Sequence, residues 1–212
     1  MGWGAKQNGK APSRQASRRI LIVCEGAQTE PTYFRQFRLA TVSVKVIGTG
    51  YNTVSLVRRT EQLLKEEGVK YDEVWCVFDK DDFSEQQFNG AIKLAESLQF
   101  FTAWSNQAFE YWLLLHFEDH QGGGMHRNMY CQRLNKHLQP YRATYSCTQK
   151  RISPELFHIL MGNVSSGKGS RADLAAERAE RIYKKHIEDS HNPALSESCT
   201  LVYQLYKRLI NN

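Results

Sequence analysis

Glu25 directly follows the apolar run Ile20–Cys24, and Asp79, Asp81 and Asp82 directly follow Glu73–Phe78 in the run VFDKDDF. Both apolar runs have the length and composition of buried strands. Acids gathered at the ends of such strands repel one another and resist ionisation unless a cation neutralises them. Carboxylate oxygens completed by water suit a hard divalent ion, Mg2+ or Mn2+. A single Asp in this position often only caps the following turn; Glu25 taken together with Asp79 and Asp81 points to a shared ion. Gly26, next to Glu25, lets the backbone turn tightly and brings phosphate or metal close.

A second chemistry is written in the stretch from Met125 to Arg151. It holds Arg127, Arg133, Lys136, Arg142, Lys150 and Arg151 without one acidic residue, and Tyr130, Tyr141, Tyr145, His126 and His137 are interleaved. Cations bind phosphates by releasing counterions, and aromatic faces stack on unpaired bases, so the stretch is a candidate nucleic-acid surface; the plainer alternative is a solvated helix face. Gly162–Gly169 reads GNVSSGKG, close to a phosphate loop, but Gly169 replaces the hydroxyl that would ligate Mg2+ and the preceding segment looks helical. The expectation there is a loop whose Lys168 touches phosphate or a partner. The run HFEDH places its glutamate one residue too late for a zincin base, and no G-x-S-x-G elbow is present.

These side chains need a frame, and the apolar pattern supplies one. Strand-like runs at Ile20–Cys24, Val42–Ile47, Glu73–Phe78 and Phe100–Trp104 alternate with helical spacing, which predicts an α/β fold with a mostly parallel four-stranded sheet flanked by helices. In such sheets ligands gather at the carboxyl ends of the strands. Glu25 and Asp79 share an ion only if their strands are adjacent, because each intervening strand adds about 4.8 Å. The expected order is therefore 2-1-3-4. Residues 20–118 form the expected core, and 119–212 a helical extension packed on it, with helices at Asn128–Leu138, Pro154–Leu160, Ser170–Ile187 and Ser198–Leu209. Thr29 is the expected cap of the helix after the first strand.

Composition bounds the rest. The chain has 212 residues, 41% hydrophobic, 24% charged, with a formal net charge of +6. Residues 1–19 carry Lys6, Lys10, Arg14, Arg18 and Arg19 and no acid, so most of the net charge lies in a basic tail expected to stay disordered. No apolar run approaches the roughly 20 residues of a membrane span. Five cysteines, odd in number and without a CxxC pair, suit a reducing cytoplasm, with Cys24 and Cys76 as small apolar strand residues.

Four segments together, ILIVCEGAQTEPTYF, DEVWCVFDKDDF, SNQAFEYWLLLHFE and HNPALSESCTLVYQL, resemble the RloB-like family, found with phage-defence and restriction loci. The resemblance runs from about residue 20 onward, with a departure at Gln107–Ala108. The glutamate followed by a DxD resembles a Toprim domain, as in primases, topoisomerases and OLD-type nucleases. That resemblance implies Glu25 as acid/base or metal ligand, Asp79 and Asp81 as Mg2+ ligands, and Glu110, in the FEYWLL run, as a further member of the cluster. It implies a metal-dependent nuclease acting on DNA or RNA in anti-phage defence, with an ATPase partner in trans. Two alternatives stand beside it: a ribonuclease specific for tRNA or other structured RNA, and a non-catalytic nucleic-acid-binding or sensor partner of the ATPase.

Overall fold

The computed structural model describes residues 18–40, 42–164, 167, 169–189 and 192–211. β1 (Arg18–Cys24) lies between β2 (Val42–Gly48) and β3 (Glu73–Asp79), and β4 (Phe101–Asn106) pairs with β3, all in parallel. β1 is interior on both edges, and Ile20 to Cys24 are all fully buried, as a strand covered on both faces requires. A fifth strand, β5 (Cys199–Thr200), pairs antiparallel with β4, giving the order β2-β1-β3-β4-β5.

The expected four-stranded sheet of order 2-1-3-4 is thereby corrected. Two residues are too few to show an alternating pattern, and the helix expected over Ser198–Leu209 divides into β5 and α8 (Val202–Ile210). The last segment of the chain is thus part of the sheet as well as of the helical layer. At the other end, β1 begins at Arg18, so Arg18 and Arg19, counted with the tail, pair with Val42 and Ser43; residues 1–17 lie outside the described residues.

Helices follow each parallel strand. α1 (Thr29–Phe34) follows β1, α2 (Thr53–Glu67) follows β2, α3 (Glu85–Ser97) follows β3, and α4 (Glu110–Leu115) follows β4. α2 ends where Gly68 turns left-handed at φ 59°. α3 starts on a reciprocal box in which Ser84 accepts from the Gln87 amide while the Gln87 side chain accepts from the Ser84 amide. Every residue of α4 is buried, and α5 (Asn128–Leu138) and α7 (Arg171–Asp189) pack around it. α6 (Pro154–Met161) is capped by the Ser153 hydroxyl, which accepts from the Leu156 amide. Among the described residues no helix is long and apolar enough to cross a membrane.

Cys24 and Cys76 are buried strand residues, as expected, and Cys199 is buried likewise. Cys131 of α5 and Cys147 form a disulfide across a Cα separation of 6.2 Å, a correction to the expectation of unpaired thiols. The spacing of 16 residues between a helix and a loop carries no motif by which the pair could be recognised.

Candidate functional site

The β1–β3 pairing brings the two acidic strand ends together. Cys24 stands opposite Val77, the Glu25 amide donates to the Val77 carbonyl (2.8 Å), and the Asp79 amide donates to Glu25 Oε2 (3.1 Å). From the next loop the Phe109 amide donates to Asp79 Oδ2 (3.1 Å), while Asp79 Oδ1 is buried with no partner. Glu110, at the start of α4, accepts from the Tyr145 hydroxyl (2.7 Å). Glu25, Asp79, Asp81 and Glu110 line one cavity of about 220 Å3, together with Thr148, Gln149 and Lys150.

Glu30 belongs to the same cavity and escaped the sequence reading. On paper it is an ordinary first-turn glutamate beside Pro31, favoured by the helix dipole. In the fold it is buried and accepts from the Gly26 amide (3.2 Å). A Cβ on Gly26 would fall against the Glu30 carboxylate, which would have to shift to admit it. Thr29, the expected cap, is instead the first residue of α1, and its hydroxyl bonds to Tyr145 Oη (3.0 Å) and donates to the Lys150 carbonyl (3.1 Å). Tyr145 thus joins α1 to α4 above the carboxylates.

The electrostatics are those of acids short of a counter-charge. Burial lifts the Glu25 and Glu30 carboxyls to about 7, and the amide bonds from Asp79 to Glu25 and from Gly26 to Glu30 oppose the rise without cancelling it. Asp79 is pushed well above the usual carboxylate range, first by burial and then by Glu30, Glu110 and Glu25. Among the described residues no group of three or more His, Cys, Asp or Glu side chains is already arranged to hold a metal ion. Each acid spends an oxygen on a protein partner, and Asp81 turns to Arg127. The donor set itself, oxygen throughout with a buried, unpartnered oxygen on Asp79, fits a hard divalent cation.

The basic residues scatter. Arg127 forms ion pairs with Asp81 and Asp82, so it sits at the edge of the carboxylate cavity. Lys150 lines that cavity. Arg133 pairs with Glu118, and Lys136 faces a different cavity. Arg142 takes a left-handed conformation (φ 53°) after the turn Gln139–Tyr141, and Arg151 is exposed. Lys168 lies outside the described residues. The histidines of HFEDH do not converge: His116 Nδ1 bonds to the Trp112 carbonyl (2.9 Å) and His120 Nδ1 to Tyr111 Oη (3.2 Å).

Neither the curated proteins nor the solved structures contain a match to this chain. A family model does match, and its span of residues 20–209 takes in both acidic strand ends, Glu110, Tyr145 and the returning strand β5. With nearly the whole described chain covered, from the first buried residue of β1 to the last buried residue of α8, this protein belongs to the RloB-like family.

Proposed function

We propose that the chain is a divalent-metal-dependent nuclease of Toprim type that cleaves phosphodiester bonds of DNA or RNA in anti-phage defence, beside an ATPase acting in trans. The observation that carries this reading is the meeting of Glu25 and Asp79, at the adjacent ends of β1 and β3, with Glu110 at the start of α4 in one cavity that holds a buried Asp79 oxygen without a partner. Asp79, Asp81, Glu25 and Glu110 are the residues that would hold Mg2+ or Mn2+. Such an ion, when bound, supplies positive charge to the attacking and leaving oxygens of a phosphodiester.

The chain's own groups divide the remaining work. Glu25 is half-buried, and its carboxylate would orient or deprotonate water beside the ion. The Asp79 amide fixes the direction of the Glu25 carboxylate. Glu30 holds the Gly26 turn closed, and Tyr145 fixes Glu110. Lys150, on the rim, meets the phosphate backbone.

The test is incubation of the purified protein with Mg2+ or Mn2+ and a panel of plasmid, single-stranded DNA, total RNA and tRNA. Cleavage that needs the metal and disappears in Asp79→Asn is the expected result. Metal-independent cleavage, or cleavage undiminished in Asp79→Asn, rejects the assignment. Cleavage confined to tRNA selects the structured-RNA form of the activity.

A further inference from the structure

A second cavity, of about 430 Å3, opens between the end of α4, helix α5 and helix α7. Lys136, His137, Arg171 and Arg178 line it with the rings of Phe117 and Tyr141, and no acidic residue is in its lining. The Arg171 guanidinium lies 4.8 Å from the centre of the Tyr141 ring and 5.8 Å from that of Phe117, and it donates to the Ile159 carbonyl (3.1 Å). Arg178 donates to the Leu115 carbonyl (2.6 Å). Neither arginine enters an ion pair among the described residues, although both are partly buried.

Half-buried guanidiniums without a carboxylate in contact are costly, and burial pulls the Arg178 constant down against the more distant charges of Asp119, Glu177 and Glu118. Carbonyls orient both groups but supply no charge. His116, the one fully buried residue of the lining, leaves its Nε2 without a partner. The volume falls in the range of roughly 300–1,000 Å3 usual for small-molecule sites. Guanidinium geometry suits phosphate, and aromatic rings with stacked arginine suit a planar base. The neighbouring GNVSSGKG segment offers a different chemistry: its described backbone is closed on itself, with Asn163 bridged to Ser170 and the Val164 amide donating to the Gly169 carbonyl. The cationic groups of this cavity are therefore side chains of α5 and α7.

We propose that this cavity binds a phosphate ester carrying a planar base, either a free nucleoside monophosphate or the phosphorylated end of a nucleic-acid strand. Arg171, Arg178 and Lys136 surround the phosphate, and the exposed Tyr141 ring flanks the base, while Phe117, stacked on His137, backs Arg171. The inference does not depend on the carboxylate cavity being catalytic.

Calorimetric titration of the full chain, without divalent ions and at low salt, tests it with 5′-AMP, adenosine, inorganic phosphate, and a trinucleotide with or without a 5′-phosphate. The expected result is binding of AMP or the phosphorylated trinucleotide, with adenosine, phosphate and the unphosphorylated trinucleotide each weaker by about tenfold or more. Whichever phosphorylated probe binds more tightly identifies the source of the ligand. Arg178→Gln should weaken binding by about tenfold, and so should Lys136→Glu, whose exposed position spares the fold. No binding of either phosphorylated probe overturns the proposal. Equal binding of phosphate alone, or wild-type affinity in a folded Lys136→Glu protein, overturns it as well.

Discussion

Asp79 has one oxygen on the Phe109 amide and another buried without a partner, in a neighbourhood of three further carboxylates. Asp79→Asn should therefore cost at least about tenfold in metal affinity and leave the melting temperature, measured without divalent ions, unchanged or higher. A large fall in that melting temperature would mean the side chain is a structural cap. His116 gives a prediction of opposite electrical character. Burial, then Arg178 and Arg171, hold its imidazole down at about 3, below the ordinary histidine value. The fold favours the neutral ring, so its contribution is fully present above the unfolded value near 6.5 and is lost progressively as pH falls from there towards 3. Glu25 and Glu30, raised to about 7, act in the other direction: their protonation favours the fold as pH falls through 7. Urea unfolding at pH 7.5 and 5 should show a smaller acid loss in His116→Gln than in the wild type, the common carboxylate contribution cancelling in the difference. Glu25, Asp79 and Asp81 stand out in the sequence because each follows an apolar run, and Glu110 only through the resemblance of its FEYWLL run. Glu30 does not, since nothing in the order of residues tells a buried helix-start acid from a solvated one.

At the level of elements, the segment from Tyr145 to Lys150 has no regular structure of its own, yet it covers the carboxylate cavity and is tied down at both ends. Tyr145 bonds to Glu110 and Thr29, its carbonyl accepts from Asn135 Nδ2 (2.9 Å), and the Lys150 carbonyl accepts from Thr29. Tyr145→Phe leaves Glu110 without its buried donor, removes a partner of the Thr29 hydroxyl, and should cost about 1–3 kcal/mol. Amide exchange should accelerate across 145–150 more than in β1 or β3; uniform acceleration would assign the tyrosine to global packing instead. The parallel strands and most helices were readable because each spans two or more periods of its pattern. β5 was not, being two residues long; backbone pairing with β4 holds it, together with the Ser105 Oγ–Thr200 Oγ1 bond of 3.0 Å. The basic stretch has partners that its own length does not show: it contains no acid, but Asp81, Asp82 and Glu118 reach Arg127 and Arg133 from other parts of the chain. Charge counted along a segment cannot register partners that arrive through folding.

Across the whole molecule, Glu73 joins the first strand, the third strand and the last helix. Buried at the start of β3, it pairs with Arg18 of β1 and accepts from Arg208 Nε of α8 (2.7 Å) and from Trp75 Nε1 (3.0 Å). Glu73→Gln keeps the shape and removes the charge; it should lower unfolding free energy by about 1–3 kcal/mol in urea titration. Loss of α8 contacts ahead of global unfolding, seen by hydrogen exchange, would identify the link as the tether of the C-terminal helix.

β5 also has a consequence in time. Ser105 of β4 and Thr200 of β5 are 95 residues apart, which at the usual pace of synthesis corresponds to roughly 5–20 seconds. Through that interval the growing polypeptide offers β4 as an open sheet edge, with Trp104 and Ala103 among its apolar residues. The nascent chain must be shielded there, by its own already completed helices or by a chaperone, and translation stalled before Cys199 should yield a product that associates through β4.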